Sequence, residues 1–361
     1  MTQSHDAGER PRGTFNPDML RLARGARQRT QGEIAAAISV SQGKVSKWED
    51  AILAPSDEEV VRVADYLLFR PHFFYEQDQV YGFGSCCMYH RKRKALALHT
   101  LNSIHDRINI IRMGVGKLLK NVQMQHKNRF ESLDIDEYNS AAEIAQLVRA
   151  QWQMPLGPVR SLIAVVEDAG GIVVPMHFGT TYLDAVSQWP RGMPPMFFIN
   201  TAIPADRWRW SLAHEVGHIV MHRVPTPDAE AEADRFAGEF LLPEREVRPD
   251  LQNLDLAKAA RLKPRWRVSM QALIRRAHDI NELTKRRYTS LFAYLSKLGY
   301  RKNEPRPIEP EYPTTLKKLV DVHLGSLGYT IAQLADLVYL DEQGFRQLYL
   351  GESDAPLRVV G

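Results

Sequence analysis

Between Trp210 and His222 the sequence reads Trp210-Ser211-Leu212-Ala213-His214-Glu215-Val216-Gly217-His218-Ile219-Val220-Met221-His222, and no other stretch constrains the fold as tightly. Leu212, Val216, Ile219 and Val220 recur at helical spacing and predict a buried helix. His214 and His218 stand four residues apart, about 6 Å along such a helix and back on nearly the same face, so two imidazoles can grip one metal ion. Glu215 follows the first histidine. It lies beside the coordination position where a water would sit, placed to take that water's proton as general base.

Two histidines do not complete a metal site, so a third ligand is expected on a neighbouring element. The run Asp228-Ala229-Glu230-Ala231-Glu232-Ala233-Asp234-Arg235-Phe236-Ala237 predicts a second helix. Glu230 and Asp234 share a face at i, i+4, so Glu230 can ligate while Asp234 hydrogen-bonds a ligand histidine. Glu232 points roughly 160° away from Glu230 and is the alternative ligand. Ala233, Phe236, Ala237 and Phe240 form the buried stripe, and the small alanines permit close approach to the first helix. His222 would sit about 12 Å along the axis from His214, too far to share the ion, and is read as structural or as a support to a ligand.

A different pattern occupies the N-terminal part. Thr30-Gln31-Gly32-Glu33-Ile34-Ala35 opens like a capped helix, with Thr30 as N-cap and Glu33 three residues on. Ser39-Val40-Ser41 is a short polar turn, and Ser41 can cap a helix from Gln42 to Glu49 that buries Val45 and Trp48. Gln42, Gly43, Lys44, Ser46 and Lys47 stay on the outer face, which suits entry into a DNA major groove. Gln can read an adenine edge, and Lys44 and Lys47 can reach guanine or phosphate. Gln31, at the start of the preceding helix, joins this candidate DNA-binding set.

Thr30-Gln31 with Ile34-Ala35, Val40-Ser41-Gln42, Val45-Ser46-Lys47-Trp48-Glu49 and Pro55 resemble the Cro/C1-type (XRE) repressors over residues 16–75. The resemblance implies a five-helix domain whose Gln42 to Lys47 face bases. Ala51-Ile52-Leu53 departs from it, since a Gly-containing turn is usual there. Trp210 to His222, Glu230 to Ala237 and Phe240-Leu241-Leu242-Pro243 resemble the ImmA/IrrE metallopeptidases, as does Lys263 to Leu273 further on. That second resemblance implies zinc or a similar divalent ion at His214, His218 and Glu230, with Glu215 catalytic. It implies a small antiparallel sheet ahead of the motif, matching β-rich runs at 171–175, 182–186 and 196–199. By the same analogy Met196 to Asn200 would be an edge strand for an extended peptide substrate. Asp234 stands where Asn is more usual, and either can accept a hydrogen bond.

The expected fold is mainly α with a small antiparallel β-sheet (α+β). The expected domains are a disordered lead-in at 1–13, a helix-turn-helix domain at 14–80, a linker and helical connector at 81–150, a metallopeptidase-like domain at 151–300 and a C-terminal helical segment at 301–361. Helical patterns run from Leu96 to Leu119 and from Ala141 to Gln151, no repeat period is found, and a Pro-rich break follows Tyr300. Tyr329 to Ala335 echoes the second helix of a helix-turn-helix. The acidic residues after it argue against a second DNA reader and for a packing or dimerisation element.

Composition adds exclusions. With 47 basic and 43 acidic residues the net charge is +4, too weak for the whole chain to argue for nucleic acid. The local run Arg91-Lys92-Arg93-Lys94 could touch phosphate. No stretch approaches the roughly 20 apolar residues of a membrane span, the N-terminus lacks a signal-peptide core, and the two cysteines, Cys86 and Cys87, are adjacent and build no disulfide framework. These point to the cytoplasm and away from membranes. The expected function is a DNA-binding transcriptional regulator with a metal-dependent endopeptidase domain. Its partners would be a double-stranded operator, bound as a homodimer, and a repressor or antitoxin cleaved in a stress or mobile-element response. Zinc is the expected cofactor, with manganese the alternative because His and Glu ligands accept either. The competing reading is a non-catalytic regulator whose metal domain senses a ligand or stabilises the fold.

Overall fold

The structure, a computed structural model, describes residues 13–81, 97–223 and 226–352. Residues 1–12, the paired cysteines and the basic run at 91–94 lie outside them. In chain order the elements are α1 (Pro17–Ala26), α2 (Gln31–Ala37), α3 (Gln42–Glu49), α4 (Asp57–Leu67), α5 (Leu98–Leu119), α6 (Ala141–Gln151), α7 (Leu162–Asp168), β1 (Ile172–Met176), β2 (Ala185–Gln188), β3 (Met196–Asn200), α8 (Ala205–Met221), α9 (Ala229–Leu241), α10 (Glu244–Leu251), α11 (Leu256–Trp266), α12 (Met270–Asp279), α13 (Lys285–Lys297), α14 (Thr315–Gly325), α15 (Ile331–Leu337) and α16 (Glu342–Phe345). The chain divides into two compact units. The first takes residues up to Tyr81, then Ala97–Val122 and everything from Leu319; the second takes Gln123–Lys318.

In the first unit α2 and α3 form the helix-turn-helix. Thr30 and Glu33 make the reciprocal cap expected of them, and Ser41 caps α3. Met19, Leu22, Ile34, Val45, Trp48, Val63, Phe73 and Phe74 close its core. Ala51 holds a φ of 57°, so an alanine occupies the left-handed position that a glycine would take at lower cost. A 3₁₀ turn at Pro71–Tyr75 follows α4, and α5 packs along α1.

The tail repeats the helix-turn-helix 300 positions on. Thr330 and Gln333 form the same reciprocal cap as Thr30 and Glu33. Leu334 and Ala335 are buried like Ile34 and Ala35, Tyr339 has φ 69° where Ser39 has 58°, and Asp341 caps the following helix as Ser41 does. Tyr329 to Ala335, read from the sequence as an echo of a second helix, belongs to the first helix of this pair, and only caps and core match. Glu342, Gln343, Arg346 and Gln347 stand where Gln42, Gly43, Ser46 and Lys47 stand, and Arg346–Leu350 forms a π-helical turn. This second helix-turn-helix packs inside the first unit. Tyr339 meets Phe73 edge to face with ring centroids 5.1 Å apart, and the His72 ring nitrogen lies 3.1 Å from the Asp336 carbonyl oxygen.

Asp106 of α5 shares this unit. Burial pushes its carboxyl up to about 7, against the pull of Arg24, and a Cβ on Gly25 would collide with it. Between roughly pH 4 and 7 the folded state therefore binds more protons at Asp106 than the unfolded chain, and stability falls as pH rises. At about 1.4 kcal/mol per pKa unit the shift is worth about 4 kcal/mol, which solvent screening at a part-buried site reduces to about 2. Asp106→Asn should stabilise α1 and α5 by that amount at pH 8 and not at pH 4, read by amide hydrogen exchange. A gain that ignores pH would contradict it.

In the second unit the sheet order is β1-β3-β2. β1 runs parallel to β3 and β2 antiparallel to it, so the sheet is mixed rather than antiparallel. Met196–Asn200 is its central strand and not the expected edge; all five residues are buried, as a strand paired on both sides requires. α8 packs on the sheet and on α9, within a core that includes Phe197, Leu212, Val216, Phe236 and Phe240. Gly217 makes the helix crossing possible, because a Cβ there would lie 3.0 Å from the Phe236 ring. The Pro-rich stretch is no loose break. Glu304 accepts from Lys263 at 2.9 Å and from the Met270 amide at 2.7 Å, and Glu311 pairs with buried Arg209 and accepts from the Ile163 amide at 2.9 Å. Buried carboxylates thus bind residues 304–311 to this unit.

Candidate metal centre and nucleic-acid interface

α8 and α9 bring His214, His218 and Glu230 together. The two Nε2 atoms lie 3.0 Å apart. Glu230 sets one carboxylate oxygen 3.6 Å from His214 Nε2 and the other 3.4 Å from His218 Nε2. These donor atoms all fall within 4.8 Å of one another. The set fits a divalent ion: two imidazole nitrogens and a carboxylate converge, and Glu230 Oε2 is buried with no hydrogen-bond partner among the described residues. The two imidazoles, 3.6 and 3.4 Å from its oxygens, hold the Glu230 carboxyl well below its usual range. Burial pushes the His218 imidazole down to about 3, keeping it neutral as a ligand must be.

The supports of this cluster were only partly foreseen. Asp234 Oδ1 sits 3.0 Å from His214 Nδ1, as the i, i+4 reading expected. Its other oxygen pairs with Arg275 of α12 at 3.1 Å, fixing the carboxylate from behind. Burial lowers the His214 pKa, but Asp234, Glu230 and Glu215 together carry it up to about 9. Glu232, the alternative ligand, is not in the cluster; it lies 3.0 Å from His222 Nε2.

Glu215 is buried beside the cluster. The Ser187 hydroxyl of β2 donates to Glu215 Oε2 at 2.5 Å. Burial pushes the Glu215 carboxyl up to about 7, against the charge of His214 and the Ser187 hydrogen bond. Ser187 was missed because the expected strand ended at Val186, one residue short, and a lone serine carries no motif.

The DNA-binding candidates divide into anchored and exposed residues. Gln31 donates to Glu49 at 2.8 Å, and Glu49 is buried and also takes Arg24 at 2.6 Å. Lys44 pairs with Glu59, and Ser46 donates to Asp50 at 3.2 Å. Gln42, Gly43 and Lys47 are exposed on one face of α3.

Residues 166–278 match the model of the IrrE N-terminal-like domain, a peptidase family, and residues 18–72 match that of a helix-turn-helix domain. The chain fuses an XRE-type helix-turn-helix to an IrrE-like domain. No curated protein matches it. The match to the IrrE-like domain takes in β1 through α12 and so includes every residue of the metal cluster, together with Ser187 and Arg275. No helix among the described residues is long and apolar enough to cross a membrane.

Lys47 gives the cleaner test of the helix-turn-helix, since Lys44 is already committed to Glu59. Lys47→Ala should weaken binding evenly across DNA sequences and lower the salt slope of log K by about 1. Gln42→Ala should instead relax base preference at one position. Equal salt slopes for wild type and Lys47→Ala would remove Lys47 from the phosphate contacts.

Proposed function

We propose that this fusion is a DNA-binding regulator that carries a metal-dependent endopeptidase and cleaves a repressor or antitoxin protein in a stress or mobile-element response. The observation that carries the catalytic part is the position of Glu215. A structural metal site has no use for an acid–base carboxylate buried beside its ligands, yet one is there with its pKa raised into the neutral range.

His214, His218 and Glu230 would hold the ion, with Asp234 and Arg275 fixing the orientation of His214. When bound, such an ion supplies Lewis acidity toward water and toward a peptide carbonyl. Ser187 holds the Glu215 carboxylate through its hydroxyl and its backbone amide. Glu215 takes a proton from the attacking water as the new C–O bond forms. It then returns that proton to the amide nitrogen as the C–N bond breaks, so the carboxylate is regenerated. β2 is an outer strand of the sheet. An extended peptide pairing along it would run beside Ser187, which supports β2, rather than β3, as the substrate strand. The helix-turn-helix supports an operator as the second partner, with a homodimer on two half-sites the proposed form. Zinc is the proposed ion and the cytoplasm the proposed location.

The test compares new protein N-termini in cells carrying the wild type or Glu215→Gln, before and after DNA damage. A fragment that needs Glu215 would identify both the activity and the substrate. Identical N-termini, with promoter occupancy retained, would leave a non-catalytic regulator whose metal domain senses a ligand or stabilises the fold.

A further inference from the structure

His222 lies at the end of α8, where the backbone has turned to φ −112°, ψ 101° and left the helix. It is 2% exposed. Its Nδ1 is 2.9 Å from Nδ1 of His218, and its Nε2 is 3.0 Å from a carboxylate oxygen of Glu232. A carboxylate, an imidazole and the ligand imidazole therefore stand in one line, ending at the nitrogen that faces Glu230.

The proton inventory along this line has one consistent solution with neutral rings. The Glu232 carboxylate can only accept, so His222 carries its proton on Nε2 and presents a lone pair at Nδ1. His218 must then donate from Nδ1, which leaves its Nε2 as a lone pair toward His214 and Glu230. Reversing His222 would place a proton between Nδ1 of both rings from the wrong side. His218 would then carry its proton on Nε2 and could not ligate. Asp234 settles the His214 tautomer by direct contact; Glu232 settles that of His218 from one residue further away.

We propose that Glu232 and His222 are positioning residues that set the His218 tautomer and so prepare the site for its ion. This rests on the metal-site reading above. It also gives a role to the acidic residue that the sequence offered as a ligand, and to a histidine too distant to be one. Carboxylate partners behind ligand imidazoles are commonly worth 10- to 100-fold in metal affinity.

The experiment titrates zinc into the full chain against a chromophoric chelator, for wild type, Glu232→Ala, His222→Leu and His222→Asn. It also reads the imidazole tautomers of the metal-free protein by long-range ¹H–¹⁵N correlation. Glu232→Ala and His222→Leu should weaken zinc by about 10-fold or more. His222→Asn keeps an acceptor for His218 Nδ1 and should stay within a few-fold of wild type. Glu232→Ala should also convert part of the His218 signal to the Nε2-protonated form, which a loss of packing alone would not do. Wild-type zinc affinity in both weakened variants, with the His218 tautomer unchanged, would overturn the relay. A wild-type chain that binds no zinc, manganese or other divalent ion would overturn the metal reading itself, a distinct result.

Discussion

Glu215→Gln should lower the proposed peptide cleavage by about 10²- to 10⁴-fold, the range general acid–base catalysis contributes. Zinc affinity should stay within a few-fold, because Glu215 is absent from the His214, His218 and Glu230 cluster. The amide still accepts from the Ser187 hydroxyl, so the fold around β2 and α8 has no reason to change. This separation of rate from affinity is the point of the measurement. Equal loss of both would mean that Glu215 acts as a ligand or holds up the site. Loss of neither would remove catalysis from the proposal. Ser187→Ala should have a smaller effect, within about 10-fold, with the acid limb of the pH–rate profile displaced upward, since the Ser187 hydrogen bond favours ionised Glu215.

Deleting residues 330–361 should cost the chain its DNA binding while leaving its metal affinity intact. The deleted stretch supplies Leu334, Val338, Tyr339, Phe345 and Tyr349, each at most 3% exposed. Tyr339 covers Phe73, and Tyr349 and Val338 fill the space over Gly114 of α5. At about 1.5–3 kcal/mol for each buried large apolar side chain, their loss is comparable to the whole of the roughly 5–15 kcal/mol that holds an ordinary domain together. Phe345→Ala alone should cost about 3–5 kcal/mol and should lower the melting temperature of the same unit. Operator affinity unchanged in the deletion would show that α1–α5 stand without the tail.

The sequence was most informative where a motif has to obey helical geometry. His214, His218, Glu230 and Asp234 fall where i, i+4 spacing put them, and the caps at Thr30 and Ser41 mark the helices they precede. Strand pairing was less legible, because residues 171–200 carry a hydrophobic pattern but nothing that states which strand lies between the others. A parallel β1–β3 pair with β2 on the outside buries the same side chains as a meander would. Contacts between elements distant in sequence were not legible at all. Ser187 and Arg275 reach the site from β2 and α12, and Glu311 returns across 148 positions to the Ile163 amide. The repeated helix-turn-helix is an intermediate case: its caps and core were present to be matched, while its exposed face had changed beyond resemblance.

The second unit interrupts the first, since the chain leaves the first at Val122 and rejoins it at Leu319. This orders events during synthesis. A ribosome finishes α8 and α9 well before it reaches Tyr339, Phe345 and Tyr349, so the metal cluster is complete on the nascent chain while the DNA-binding core still lacks one wall. The helix-turn-helix core is completed last. Any chain cut short by premature termination, or clipped between α14 and α16, therefore carries the complete His214, His218 and Glu230 cluster beside a helix-turn-helix core that lacks Tyr339, Phe345 and Tyr349.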